Sequence, residues 1–182
     1  MDDHGLTEKQ LSSELMFQGR VFRALIDRVE TPSGKIRTRE VIEHPGGAVV
    51  LPLLPNGEVL LVRQYRYAPR LVMYEFPAGK AEPGEEALVT IQRELEEETG
   101  YMAETWHEIT QLYPCPGFCN ERLTLFKAEG LSLVENPRRE EDEHLHVVQV
   151  TLDEVARMIR DRRIVDAKTI CLLALTHPEA LL

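Results

Sequence analysis

Two stretches near the start of the chain, Val21 to Val29 and Ile36 to His44, carry β-branched and other apolar residues among polar ones and lie on either side of Thr31-Pro32-Ser33-Gly34. Such stretches bounded by turn residues predict a pair of strands. Ala48 to Leu54 and Val59 to Tyr65 are more continuously apolar and flank Asn56-Gly57, a pattern that predicts a tight hairpin. The period changes after Pro83-Gly84. Leu88, Ile91 and Leu95 then recur at helical spacing. Glu85 and Glu86 put negative charge where a first turn's free amides and the macrodipole favour it. Gly100 stands where a left-handed residue closes a helix. Further strands are predicted over Glu104 to Tyr113, Arg122 to Ala128 and Leu145 to Val150. Thr151 with Glu154 reads as a capping box for a helix through Arg160, and Asp166 as the cap of another that runs through Ile170 and Leu173 to Pro178. Residues 1 to about 17 read as a tail or arm outside the core. Mixed strands with helices on both faces predict an α/β chain, a three-layer α/β/α sandwich around a mixed sheet.

The helix after Gly84 carries the chemistry. At about 100° per residue, Glu94, Glu97 and Glu98 stand at i, i+3 and i+4 on a face beside the apolar stripe, while Glu96 points away as a solvated acid. Each like-charged i,i+4 pair costs roughly 0.2 to 0.5 kcal/mol, so a cation is expected to offset the cluster. Mg²⁺ and Mn²⁺ suit it, being hard ions that take carboxylate, carbonyl and water oxygens. Arg93, one turn before Glu97, is spaced to orient that carboxylate by a charge-assisted hydrogen bond.

Composition changes the picture only at its edges. The chain has 182 residues, 43% of them hydrophobic, and a formal charge of −10. One domain is expected from that length. The negative field disfavours nucleic acid and anionic membranes as partners, so a phosphate-bearing substrate must be attracted locally. No stretch approaches the roughly 18 apolar residues of a membrane helix, and the polar start is unlike a signal peptide. A cytoplasmic protein is expected. Its three cysteines, Cys115, Cys119 and Cys171, are odd in number and lack a second ligand pair at zinc spacing. Ser33-Gly34-Lys35 lacks the flanking residues of a phosphate-binding loop and reads as a turn.

From Gly79 to Tyr101 the sequence GKAEPGEEALVTIQRELEEETGY resembles the Nudix box, G-x5-E-x7-R-E-U-x-E-E-x-G-U with U a bulky apolar residue, at every specified position. The resemblance implies the Nudix fold and hydrolysis of a nucleoside diphosphate linked to another moiety, with Mg²⁺ or Mn²⁺ as cofactor. Carried over by position, Glu94, Glu97 and Glu98 would hold the metal with the Ala78 carbonyl. Arg93, Glu85 and Gly79 would support them.

Outside the box, Phe17-Gln18-Gly19-Arg20-Val21-Phe22, Arg39-Glu40-Val41, His44-Pro45-Gly46 and Arg63-Gln64-Tyr65-Arg66-Tyr67 resemble the branch that cleaves ADP-ribose and related nucleoside diphosphate sugars. Pro116, fifteen residues past Tyr101, matches a proline of that branch. By the same resemblance Arg66 would grip substrate phosphate and Glu75 would be a substrate-side carboxylate. A glutamate of the acidic run Arg138 to Glu143 would be the base, Glu141 first, with Glu143 and Glu140 behind it and a box glutamate such as Glu97 as another choice. The branch implies a homodimer, with residues 1–44 as a tail and antiparallel strand arm at the interface and residues 45–182 as the hydrolase domain. Other Nudix substrates stay open: capped RNA, dinucleoside polyphosphates, nucleoside triphosphates or coenzyme A. So does a nucleotide-binding regulator that does not cleave.

Overall fold

The computed structural model describes residues 5–138 and 144–181, and the chain divides into two compact units. Met1–Gly46 and Tyr113–Arg122 form the first. Its sheet has the order β1-β2-β3, antiparallel throughout, from β1 (Lys9–Gln18), β2 (Arg23–Glu30) and β3 (Ile36–Glu43). The turn between β2 and β3 closes where Thr31 to Gly34 predicted it, the Gly34 amide donating to the Thr31 carbonyl at 2.8 Å. The expected tail is in part a strand. β1 escapes a period-two reading because its register slips twice, between Gln10 and Ser12 and between Leu15 and Phe17. Each slip resets which face a side chain takes. The 113–122 segment joins this unit through the Ile42 amide, which donates to the Phe118 carbonyl at 2.7 Å.

Gly47–Leu112 and Leu123–Leu182 form the second unit. It contains β4 (Gly47–Pro52), β5 (Glu58–Arg66), β6 (Leu71–Glu75), β7 (Ala78–Lys80), α1 (Ala87–Thr99), β8 (Tyr101–Leu112), β9 (Leu123–Leu133), β10 (Leu145–Thr151), α2 (Leu152–Arg160) and α3 (Ala167–Thr176). One sheet runs β7-β4-β9-β8, with β4 and β9 parallel and the other pairs antiparallel. The other runs β10-β5-β6, all antiparallel.

Alternation along β4, β5 and β9 sorts the core into two layers. Val49, Leu51, Val59, Leu61, Leu123 and Leu125 join Val155, Met158, Leu172 and Leu173 of α2 and α3. Their neighbours Ala48, Val50, Leu60, Phe126 and Ala128 join Ile91 and Leu95 of α1. Burial of both faces explains why these strands read as continuous apolar runs. The three-layer sandwich is therefore present, and no helix of the described residues is long and apolar enough to cross a membrane.

The Asn56-Gly57 turn does not make the expected hairpin. It reverses the chain, with the Leu54 amide donating to the Glu58 carbonyl at 2.8 Å, yet the pairing goes no further than the isolated bridge from Leu53, just past β4, to Val59. All six residues of β4 are buried, and its edges are taken by β9 and β7. β5 is left to lead the second sheet. The helix caps follow the sequence more closely. Thr151 Oγ1 accepts from the Glu154 amide at 3.2 Å, Asp166 Oδ2 from the Thr169 amide at 3.0 Å, and Gly100 has φ 76°. That left-handed angle lets its amide close on the Glu96 carbonyl at 2.8 Å. α1 differs from expectation at its start. It begins at Ala87, so Glu85 and Glu86 precede the first turn. Leu88 is exposed, and the buried stripe is Thr90, Ile91, Leu95, Glu98 and Thr99.

Candidate active site

Antiparallel pairing of β7 with β4 sets Gly79 opposite Ala48 and Ala78 opposite Val49. α1 is anchored over this sheet by Ile91 and Leu95, both fully buried. Its acidic face consequently meets β7. A Cβ on Gly79 would lie 1.9 Å from Glu94 Cδ, so the lack of a side chain there is what admits the Glu94 carboxylate. One turn on, the buried Glu98 accepts the Ala78 amide through Oε2 at 3.0 Å.

Arg93 ties the acids together. Its Nη1 donates to Glu94 Oε1 and to Glu97 Oε2, each at 2.8 Å. Its Nε and Nη2 reach Glu85 Oε1 and Oε2, each at 3.2 Å, and Nη2 also donates to the Lys80 carbonyl at 3.4 Å. Glu85 accepts in addition from the Glu82 amide at 3.0 Å and the Thr90 hydroxyl at 2.9 Å. The hydrogen bonds from Arg93 first, then that from the Glu82 amide, hold the Glu85 carboxyl down at about 2. Arg93 is raised in turn, first by Glu85. The i,i+4 spacing anticipated the pair with Glu97. It gave no sign of Thr90.

A second ionic cluster sits in the same unit. Arg66 forks onto Glu75, Nε to Oε1 at 2.8 Å and Nη2 to Oε2 at 2.9 Å. Glu75 is 1% exposed. Burial alone would raise its carboxyl, but the hydrogen bond from Arg66 and the charge of Lys168 bring it below the ordinary range. Arg66 is raised by its bond to Glu75, and the charges of Glu98 and Asp166 add to that. Lys168 Nζ donates to Glu75 Oε2 and, at 2.9 Å, to Asp166 Oδ1. The sequence pattern marks Asp166 only as a helix cap and does not mark Lys168. The residues joining the two clusters are 75 to 78: Glu75 binds Lys168, the Phe76 amide donates to Thr169 Oγ1 at 2.9 Å, and the Ala78 amide donates to Glu98.

Pro116 belongs to the first unit, where it lines a cavity of about 420 Å³ with Arg39, Glu40, Tyr113, Phe118 and Asn120. Glu140, Glu141 and Glu143 lie outside the described residues. Among the described residues no three His, Cys, Asp or Glu side chains are gathered closely enough to cage a metal. Glu94 and Glu97 are drawn to Arg93 and Glu98 to the Ala78 amide. The donor chemistry nevertheless fits a hard divalent cation, because the carboxylates from one helix face and the carbonyl of β7 are all oxygen. The Gly79 opening leaves Glu94 beside that strand.

Two outcomes follow from this geometry. Gly79→Ala should drive the Glu94 carboxylate away and weaken Mn²⁺ binding by about tenfold or more, the scale of losing a group that keeps a metal ligand in place. Titration calorimetry checks it, and unchanged affinity would separate Glu94 from any metal. The second outcome concerns pH in metal-free protein. The Glu85 carboxyl sits at about 2 against an ordinary 4.5, so its stabilisation is full above 4.5 and disappears as pH falls toward 2. The Tm deficit of Glu85→Gln should therefore be largest above pH 4.5 and close progressively below it. A deficit constant across that window would contradict the ion-pair origin.

A model of the NUDIX domain matches residues 43–173. The chain is 42% identical over 165 residues to the ADP-ribose pyrophosphatase of Bacillus subtilis (strain 168), covering 90% of this chain and 89% of that protein. It is 40% identical over 164 residues to the methanol dehydrogenase activator of Bacillus methanolicus, with 90% and 89% covered. A solved structure described as an ADP compounds hydrolase superposes with TM-score 0.82 over 95% of this chain and 94% of that one, at 21% identity. That last likeness bears on the fold. The domain match and the close relatives, laid over the Gly79 to Tyr101 constellation, make this chain a member of the Nudix family.

Proposed function

We propose that this chain is a divalent-metal-dependent pyrophosphatase of ADP-ribose and related nucleoside diphosphate sugars. The observation that carries the reading is the acid and arginine constellation around Arg93, in a chain 42% identical to an ADP-ribose pyrophosphatase. Glu94, Glu97, Glu98 and the Ala78 carbonyl hold the cation in this reading. A bound Mg²⁺ or Mn²⁺ supplies charge neutralisation for the diphosphate and activation of water. Arg93 and Glu85 fix the carboxylates before substrate arrives. Arg66 receives phosphate with the donors that Glu75 leaves over. Glu141, or else Glu143, Glu140 or a box glutamate, takes the proton of the attacking water. The new P–O bond forms as the bridging P–O bond breaks. ADP-ribose gives AMP and ribose 5-phosphate.

In the same reading residues 1–44 are the arm of a homodimer, supported by the exposed Leu15, Met16 and Phe17 of β1, and residues 45–182 are the hydrolase domain. The protein is assigned to the cytoplasm, where its free cysteines stay reduced. A second reading is a regulator that binds nucleotide without cleaving it; the relative named as a methanol dehydrogenase activator bears on the regulatory part of that reading alone.

Turnover separates the two. A panel of ADP-ribose, other nucleoside diphosphate sugars, triphosphates and capped RNA, assayed with Mg²⁺ and Mn²⁺, should give the highest kcat/KM on a diphosphate sugar. Glu98→Gln should lower kcat by roughly 10²-fold or more with the fold kept. Near-normal turnover in that variant would remove Glu98 from the mechanism, and binding without products would favour the regulator. Light scattering should find the mass of two chains, and the mass of one would dismiss the dimer.

A further inference from the structure

Arg66 has a divided obligation. As the proposed phosphate ligand it must keep hydrogen-bond donors for an anion, yet in this structure Nε and one Nη2 donor are committed to Glu75. Glu75 is itself an anion at 1% exposure. A buried carboxylate with a single cation would bind it tightly and weaken its hold on any competing anion. Here a second cation reaches the same carboxylate. Lys168 Nζ donates to Glu75 Oε2 and to Asp166 Oδ1, and its side chain is 15% exposed against 41% for Arg66.

The cluster is graded by depth. Glu75 is buried and Lys168 and Asp166 are half-buried, and Asp166 is held further by the amide and hydroxyl of Thr169 at 3.0 and 2.7 Å. Arg66 is its open end. A guanidinium has five N–H donors, so the fork to Glu75 leaves both Nη1 donors and one on Nη2.

We infer that Lys168 is a positioning residue for the anion-binding arginine: with Asp166 it holds Glu75 in place and shares its hydrogen bonding, so that Glu75 aims Arg66 without absorbing its charge. The inference rests on the reading of Arg66 as a phosphate ligand. Lys168 itself touches no substrate. Its loss leaves Arg66 as the side-chain cation hydrogen-bonded to Glu75 and draws the guanidinium back into the protein.

The test is a set of steady-state measurements on the best diphosphate sugar of the panel, with the metal saturating. Arg66→Gln should raise KM by about tenfold or more, the loss of a charge-assisted fork to phosphate. Lys168→Gln should raise KM several-fold with kcat changed by less than about twofold, the mark of lost substrate binding rather than lost chemistry. Lys168→Arg should restore KM toward the wild-type value. A purely structural role would lower Tm and the active fraction while leaving KM alone, and that result overturns the inference. Glu75→Gln combined with Lys168→Gln leaves no buried charge without a partner at position 75, which keeps the test open should Lys168→Gln fold poorly. The double variant should have the KM of Glu75→Gln alone, because Lys168 acts through Glu75. A further rise would mean that Lys168 acts by another route, against the inference. If Arg66→Gln leaves KM unchanged, the phosphate reading falls and this inference with it. If Arg66→Gln raises KM and Lys168→Gln does not, only the inference falls.

Discussion

One guanidinium organises the acidic face of α1. Arg93 hydrogen-bonds Glu94 and Glu97 on its own helix and Glu85 in the loop before it, and reaches the Lys80 carbonyl at the end of β7. Without a shared cation, carboxylates one turn apart repel and swing into solvent. With one, they are held before any ligand arrives. The planar fork of arginine matters, since one side chain serves three carboxylates in different directions. A lysine would supply the charge but not the geometry.

The constraint extends into the fold through residues 75–78. They bind α3 through the Glu75 side chain and the Phe76 amide, and α1 through the Ala78 amide. Helices from opposite layers are thus tied to the same short segment, which explains why Phe76 is fully buried between ionic neighbours. A shift of this segment would move both clusters together, so the acids of α1 and the arginine of β5 keep a common frame.

Much of this was legible in the sequence because it is local. The α1 acids and Arg93 fall within one helix, where spacing alone decides which side chains meet, and the caps at Thr151, Asp166 and Gly100 are short patterns with a mechanism. What failed was nonlocal. Asn56-Gly57 reports a turn and cannot report that β4 pairs with β9 and β7 instead of β5. β1 was lost because its bulges break the alternation that defines a strand. Lys168 stands 93 positions from Glu75, and no periodicity connects them. Leu88 departs from the expected stripe for a simpler reason. Thr90 took the buried place because its hydroxyl has Glu85 to donate to.

The two clusters divide the electrostatic work differently. Around Arg93 one positive charge is shared by Glu85, Glu94 and Glu97, whereas Arg66 and Lys168 meet Glu75 and Asp166 in equal numbers. The first arrangement concentrates negative charge and suits a cation. The second is balanced, with Glu75 buried and Lys168 and Asp166 half-buried, and in the proposed reading it offers a fixed positive end to an anion without the cost of an unpaired buried charge. In a chain of net charge −10, long-range attraction cannot bring a diphosphate to its site. In the proposed reading, recognition then depends on local positive charge held in a fixed direction, and the fork from Arg66 to the buried Glu75 supplies that direction.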